Sequence, residues 1–437
     1  MLKVLKFGGS SLADSGQFLK VKNIVEADED RRVVVVSAPG KRHDNDNKIT
    51  DLLYLCNAHL KYNASYEDIF QMIQDRYQEI KENCSLSVDL EAEFTEIRSH
   101  MRKGMSVDYL VSRGEYLNAK LMADYLGYTF VDAKDVIRFG QNGKVDRKET
   151  EALFKAEFQK HDHIVLPGFY GALPGGNIRT FSRGGSDVTG AIAAASLDAD
   201  LYENWTDVTG ILMADPRIVE NPQTMATVTY AELRELSYMG ASVLHEDTVF
   251  PVRRKNIPLN IRNVNQPEEA GTMIMEEFPR EDNPRYVTGV TGLRNYSIIN
   301  VYGTNMSKST STLRKVLEIC EDFQLSVEQI PSGTDSFSLV IRTESLNGQK
   351  YELISAIKKE MDFLDIKVTE GISLIAIVGR GMAYKVGISS MFFGALGENN
   401  INIRTIQQSS DEISIIVGVH DEDFEKAIRV LYDRFAR

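Results

Sequence analysis

At 437 residues, with 43% hydrophobic and 26% charged side chains, the chain has an ordinary globular composition and is long enough for two or three domains. A formal net charge of −13 speaks against a surface built for nucleic acid or anionic lipid, so an anionic substrate would need cations gathered locally. Cys56, Cys84 and Cys320 fit neither a zinc spacing nor a disulfide framework, and no apolar stretch approaches the roughly 20 residues of a membrane span; with no leader-like N-terminus, a cytoplasmic protein is expected.

Residues 2–7 read as an apolar strand running into Gly8-Gly9-Ser10-Ser11, after which Phe18, Val21, Ile24 and Val25 recur at helical spacing. A second buried-type strand, 33–36, ends in Ser37-Ala38-Pro39-Gly40, and the polar run 41–48 precedes a helix over 49–60. Residues 66–102, charged and free of proline, predict a helical excursion with bland chemistry. Strands return at 129–131, 164–166, 201–205 and 259–262, each near a glycine-rich or acidic turn. This alternation predicts an α/β fold with a mostly parallel sheet, whose strand ends are where ligands bind.

Between 263 and 285 the composition turns to Pro, Glu and Asn, which suggests a boundary. The expected division is a catalytic domain over 1–265, a linker over 266–285 and a tandem region over 286–437. That tandem region repeats itself at a constant offset of 76 residues: 299–303 matches 375–379, 325–327 matches 401–403, and 337–341 matches 413–417. Each repeat reads strand, helix, strand, strand, helix, with helices at 310–323, 351–361, 388–399 and 423–435. A ferredoxin-like α+β unit needs one further strand. The first unit, about 297–370, finds it at 364–368, whereas the second, about 371–437, does not. Residues 286–290 are therefore expected to cross over and complete it, interleaving the two units.

Glycines let backbone N–H groups approach an anion closely, and a following helix start adds a favourable dipole, so Gly8-Gly9-Ser10 beside Lys6 suits a phosphate. A glycine-glycine turn after a strand can equally be a tight connection. Arg183-Gly184-Gly185-Ser186-Asp187 opens a small apolar helix at 188–196, where Ser186 or Asp187 could instead act as N-cap. Thr206-Asp207-Val208-Thr209-Gly210 leads to Asp215-Pro216-Arg217, which alone reads as an acidic turn ended by proline. Walker A, protein-kinase and GxGxxG signatures are all missing, so a phosphotransferase must use another fold.

In order and spacing, Lys6-Phe7-Gly8-Gly9-Ser10-Ser11, Arg113-Gly114-Glu115, Arg183-Gly184-Gly185-Ser186-Asp187, Thr206-Asp207 and Asp215-Pro216-Arg217 resemble the motifs of aspartate kinases. The repeats, with Val378-Gly379, Gly387 and Asn400-Ile401-Asn402-Ile403, look like that family's paired ACT domains. The resemblance implies an amino-acid-kinase αβα sandwich followed by two interleaved ACT units. It implies ATP-dependent phosphorylation of the aspartate side chain with Mg²⁺, at the head of lysine, threonine and methionine biosynthesis.

By position, Lys6 and Asp187 would be catalytic, and Lys6, Gly8, Gly9 and Ser10 would bind phosphate. Ser37, Glu115, Arg183 and Ser186 would line the amino-acid site, with Glu115 toward the ammonium and Arg183 gripping a carboxylate through its planar fork. Thr206, Asp207 and Arg217 would line the nucleotide, and no protein ligand of the metal is assigned. Without the resemblance, Glu115 reads as a solvated helix residue. Ser242 and Glu246 stand where the family usually has a lysine and a proline, and Leu212 where a tyrosine is frequent, which leaves ATP contacts open, with Arg253, Arg254 and Lys255 as substitutes.

Feedback by an end-product amino acid is also implied by the resemblance, lysine favoured over threonine, with Met306, Ser307, Val327 and Glu328 as pocket candidates. A homodimer or homotetramer through the ACT units is expected. Since the chain ends after the second repeat, a fused homoserine dehydrogenase is not. The rivals are another amino acid kinase and a catalytically silent amino-acid sensor.

Overall fold

The computed structural model describes residues 1–182, 184–241, 244, 246–278, 285–304, 306 and 309–436, with backbone alone at 246 and 247. The chain forms two compact units, one of Met1–Ile211, Ala226–Tyr230 and Val243–Phe278, the other of Leu212–Met225, Ala231–Ser242 and Pro279–Arg437.

The first unit is built on an eight-stranded sheet: β1 (Lys3–Phe7), β2 (Arg31–Val36), β3 (Thr129–Phe130), β4 (Ile164–Pro167), β7 (Leu201–Thr206), β8 (Thr227–Thr229), β9 (Leu259–Asn263) and β10 (Thr272–Met275), in the order β3-β4-β2-β1-β7-β9-β10-β8. A small hairpin, β5 (Tyr170–Ala172) and β6 (Ile178–Thr180), stands apart from it. All pairs of the large sheet are parallel except β9 with β10. The near-continuous apolar reading of β1 and β2 reflects a sheet covered on both faces. From the centre the order runs β1, β2, β4 to one side and β7, β9, β10 to the other, the kind of switch point at whose strand ends ligands bind in parallel α/β sheets.

Among the described residues ten α-helices accompany the strands up to β10: α1 (Ser15–Glu26), α2 (Ile49–Lys61), α3 (Glu67–Asn83), α4 (Leu90–His100), α5 (Val107–Leu126), α6 (Ala133–Val136), α7 (Arg147–Phe158), α8 (Gly185–Ser196), α9 (Tyr230–Tyr238) and α10 (Glu246–Arg254). Leu5, Phe7, Val34 and Val36 form the main core with apolar faces of α1 to α5, such as Phe18, Leu53, Phe70, Tyr77, Phe94 and Leu117. All six strands expected here form, within two residues of their expected ends. The two that composition hides are β8 and β10. β10 lies inside the stretch expected to be linker, because four residues suffice to pair with β9 on one side and β8 on the other.

The second unit carries one antiparallel sheet: β11 (Gly289–Tyr302), β12 (Val327–Gln329), β13 (Ser336–Arg342), β14 (Asp365–Val378), β15 (Thr405–Gln408) and β16 (Ser414–His420), ordered β12-β13-β11-β14-β16-β15. Its C-terminal helices are α11 (Thr310–Asp322), α12 (Thr343–Leu346), α13 (Lys350–Glu360), α14 (Ile388–Glu398) and α15 (Phe424–Ala436). The strands β11 and β14 serve both repeats. Tyr296–Tyr302 pair with β13 and the first half of β14, whereas Gly289–Leu293 pair with its second half, as in Gly289↔Val378 and Val290↔Ile377. The expected crossover therefore forms. It is centred three residues later than 286–290 and runs on into the first repeat's own strand through a register break between Leu293 and Ile298.

Two pieces of the chain before residue 265 belong to this second unit. Met213 O accepts from Val290 N at 2.7 Å, Gln223 N donates to Tyr432 Oη at 2.9 Å, and Arg429 Nε donates to Ile218 O at 2.9 Å. On α9, Glu235 accepts from Ser414 Oγ at 2.7 Å.

Candidate active site

The site grows from the ends of β1, β2 and β7. In the β1–β7 register Lys6 lies opposite Asn204, so the two side chains stand on the same face. Leu5 and Phe7 point the other way, into the core. Buried Lys6 places Nζ 2.7 Å from Asp187 Oδ1 and 3.4 Å from Asn204 Oδ1, while Asn204 Nδ2 donates to Asp187 Oδ1 at 2.9 Å. Tyr202 Oη donates to the Asp187 carbonyl at 3.1 Å and so fixes its backbone as well. An ammonium has three donors; two are directed at Asp187 and Asn204, which leaves one for an incoming oxygen.

Asp187 is free for this because neither it nor Ser186 caps α8. The helix opens from Gly184 in the left-handed region at φ 56°, with no side-chain cap. Val188 N is the first to reach back to a helical carbonyl, that of Gly184 at 2.9 Å, so the N–H groups of Gly185, Ser186 and Asp187 form the unsatisfied start of the helix. Ser186 is buried against Gly168, where a Cβ would come within 2.5 Å of its Oγ.

The glycine turn departs from expectation. Gly8 N donates to Trp205 O at 3.1 Å and is spent on the β1–β7 ladder. Residues Gly9–Leu12 then form a short 3₁₀ turn, and α1 begins only at Ser15, its first turn capped by Asp14 Oδ1 on Gln17 N at 2.9 Å. The expected helix dipole is thus already answered by an acid. The donors that remain are the N–H groups of Gly9 and Ser10, which precede the first bonded donor of the 3₁₀ turn, Ser11 N on Gly8 O at 3.1 Å. Gly9 must be glycine because a Cβ there would lie 2.9 Å from Ala38 O. Gly40 N donates to Gly9 O at 2.8 Å, closing the turn against the segment after β2. Ser37 holds that strand end, its N donating to Phe7 O at 3.2 Å and its carbonyl accepting from Asn118 Nδ2 at 2.7 Å.

Glu115 lies on α5 and is buried, not solvated. Burial pushes its carboxyl up to about 8, although an N–H of Ala38 and the charge of Arg113 favour the ionised form. Its Oε2 has no partner among the described residues. Neighbouring Gly114 lets α5 approach this wall, since a Cβ there would meet that of Ala38 at 2.9 Å. Arg113 is structural, its guanidinium lying over Tyr116 at 4.3 Å and Tyr109 at 4.8 Å. Contacts therefore run continuously from Lys6, whose Nζ would be 3.7 Å from a Cβ on Gly8, through Gly9 and Ala38 to Glu115.

Thr206 ends β7 and Asp207 follows it, with Thr206 Oγ1 donating to Asp207 Oδ1 at 3.2 Å. Arg217 belongs to the second unit, where it is 88% exposed and forks onto Asp215 at 2.6 Å. Leu212, of that unit too, bridges Thr224. Arg183, Ser242 and Ser307 lie outside the described residues, as does the side chain of Glu246. Of the effector candidates, Met306 is packed into the first repeat's core, whereas Val327 and Glu328 sit on β12. Glu328 accepts from Tyr238 Oη and from Arg342 Nε, the latter at 3.2 Å. Asn204 and Tyr202 escaped the sequence-based expectation. Polar residues inside an otherwise buried strand, as in Leu201–Thr206, were the available signal.

The profile of the amino acid kinase family matches residues 1–263, and that of an ACT domain matches residues 375–435. Aspartokinase 3 of Bacillus subtilis is 34% identical over 99% of this chain and 98% of its own. The crystal structure of Clostridium acetobutylicum aspartate kinase is 46% identical, with a TM-score of 0.92 over 99% of both chains. Escherichia coli aspartokinase III, 26% identical over the whole of both chains, superposes at a TM-score of 0.73 in its R-state with aspartate and ADP, and 0.75 in its T-state with lysine and aspartate. With an amino-acid-kinase sheet, an ACT-type tail and full-length likeness to these enzymes, the chain belongs to the aspartate kinases of the amino acid kinase family.

Proposed function

We propose that the chain transfers the γ-phosphoryl group of ATP to the β-carboxylate of L-aspartate, the opening step of lysine, threonine and methionine biosynthesis. The observation that carries this reading is Lys6, buried between Asp187 and Asn204 with one donor to spare beside the Gly9–Ser10 turn. A carboxylate with a reference pKa of about 4 is already a nucleophile at neutral pH, so no general base is needed. What must be overcome is repulsion between two anions. Lys6, the N–H groups of Gly9 and Ser10 and the start of α8 would answer the phosphate charge, and Arg183 the aspartate carboxylate. Glu115 would accept the aspartate ammonium, releasing its own proton to do so. Thr206 and Asp207 remain the proposed nucleotide contacts.

Magnesium fits as a passenger on the nucleotide. Among the described residues no three His, Cys, Asp or Glu side chains converge, and Asp187 is already engaged by Lys6. Bound to phosphate oxygens and its own water, the ion would supply further charge neutralisation.

Feedback by an amino acid, lysine before threonine, is supported by the ACT-type unit and by the lysine-bound T-state of the E. coli relative. Glu328, with its carboxylate on β12, would meet the effector's cationic group. A homodimer or homotetramer through these units is proposed, since β12 and β15 stand at the two ends of the sheet order with unpaired outer edges among the described residues. Among the described residues no helix is long and apolar enough to cross a membrane, in keeping with the proposed cytoplasmic location.

The test is Lys6→Ala in an ADP-release assay with aspartate, glutamate and acetylglutamate, each with and without lysine or threonine. Wild-type turnover with aspartate alone among the three, and its loss in the variant with an unchanged melting temperature, is the expected result. Near-normal activity of the variant would sink the assigned role.

A further inference from the structure

The helix α3, expected to be chemically bland, sends two adjacent buried side chains to the walls of the site. Tyr77 Oη donates to Gly114 O at 2.6 Å, beside Glu115. Arg76 is only 5% exposed, and its guanidinium is divided between two targets. Nη1 donates to Gly40 O at 3.1 Å, and Nη2 lies 2.7 and 2.6 Å from the two carboxylate oxygens of Asp46.

The first target matters most. Gly40 is held from its other side by Gly9, through the 2.8 Å bond from Gly40 N to Gly9 O. The two backbones touch so closely that a Cβ on Gly40 would lie 2.7 Å from Gly9 C. A guanidinium on one face of Gly40 is therefore one residue removed from the turn that presents the Gly9 and Ser10 donors. The second target closes the polar run 41–48. Asp46 also receives Arg42 N at 2.9 Å and Arg42 Nε at 3.0 Å, so the run folds on itself and is tied at Asp46 to α3. A planar fork can serve a carbonyl and a carboxylate at once, and an ammonium cannot reproduce that geometry.

We propose that Arg76 is a positioning residue for phosphoryl transfer, holding Gly40 and the run 41–48 so that the Gly9–Ser10 turn stays aligned on the nucleotide's phosphates. The inference rests on the reading of that turn as the phosphate cradle. It also gives the excursion of α3 a task, since a segment that only covered the core would not need a buried cation aimed at Gly40.

The experiment compares Arg76→Met, Arg76→Lys and Asp46→Asn in the full chain, with steady-state kinetics in ATP and in aspartate and a thermal melt of each. Losing a charged hydrogen bond to the cradle's support should raise KM for ATP about tenfold in Arg76→Met, with KM for aspartate within about twofold. Arg76→Lys, keeping charge but not the fork, should show about a threefold rise, and Asp46→Asn, which spares the Gly40 arm, a smaller one. Should Arg76→Met fail to fold, the rise in Arg76→Lys decides. A folded variant with unchanged KM for ATP, or a loss of kcat that only tracks a lowered melting temperature, would reduce Arg76 to a structural tether and overturn the proposal. Lys6→Ala in the same assay separates the two layers: an active Lys6→Ala refutes the cradle itself, whereas an inactive one beside a normal Arg76→Met refutes only the role of Arg76.

Discussion

Glu115 of the first unit and Glu232 of the second are both buried, and they are treated differently. Glu232, in the second unit, is completely buried and fully answered: it accepts from Thr288 Oγ1 at 2.6 Å, from Arg380 N at 2.7 Å and from Arg380 Nη1 at 2.7 Å. Glu115, in the first unit, is almost as buried, yet one of its oxygens has no partner among the described residues and its proton is held up to about 8. A buried carboxylate with both oxygens bonded is a joint. One left short of donors has a vacancy that an ammonium-bearing substrate can fill, at the cost of an unbound state that resists ionisation.

This contrast can be broken in several places. The largest effect should come from Glu232→Ala, which takes a fully buried acid away from Thr288 and from the partly exposed Arg380 and should destabilise the chain by about 3 kcal/mol in denaturant unfolding. A loss below about 1 kcal/mol would mean that the joint is dispensable. Next, Asn204→Ala removes the amide that bridges Lys6 and Asp187. Turnover should drop by about 10- to 100-fold, as for a lost hydrogen bond to charged groups, with little change in melting temperature; an unchanged kcat would remove Asn204 from the site.

The pH dependence of Glu115 comes third. Its folded value, about 8, lies above the ordinary 4.5, so the ligand-free fold holds a proton that the unfolded chain has lost. Stability from this group is therefore present below about 4.5 and fades as pH climbs through 8. Aspartate binding needs the ionised form, so KM for aspartate should fall by up to about tenfold between pH 6 and 7 and level off above 8. Glu115→Gln should bind aspartate poorly and without that slope; a parallel slope in the variant would assign the titration elsewhere. The smallest effect belongs to Arg314→Ala, which breaks an exposed pair with Glu318 on α11 and should change stability by less than about 0.5 kcal/mol.

Much of this architecture was legible beforehand because it is written in local patterns. Apolar runs bounded by glycine-rich turns placed the central strands, and a constant offset exposed the tandem repeat, whose missing strand implied a crossover, expected at 286–290 and formed by Gly289–Leu293. The misses are equally physical. Thr272–Met275 is a strand only because β8 and β9 lie on either side of it, and its Pro- and Glu-rich flanks conceal that. The helix expected to lend its dipole to the glycine turn is separated from it by a 3₁₀ turn and is capped by Asp14. Residues 212–225 and 231–242 join the C-terminal unit through bonds to residues such as Tyr432 and Ser414, some two hundred positions away, which no periodicity announces.

By itself the order of residues determined the elements, their repeats and the chemical types available at strand ends, since side-chain period and turn chemistry act over a few neighbours. Only the tertiary structure decided which of these groups meet. The register that sets Asn204 beside Lys6, the desolvation that raises Glu115 and the reach of Arg76 to Gly40 depend on strand neighbours and on burial summed over distant atoms. Those quantities exist only once the chain has closed on itself.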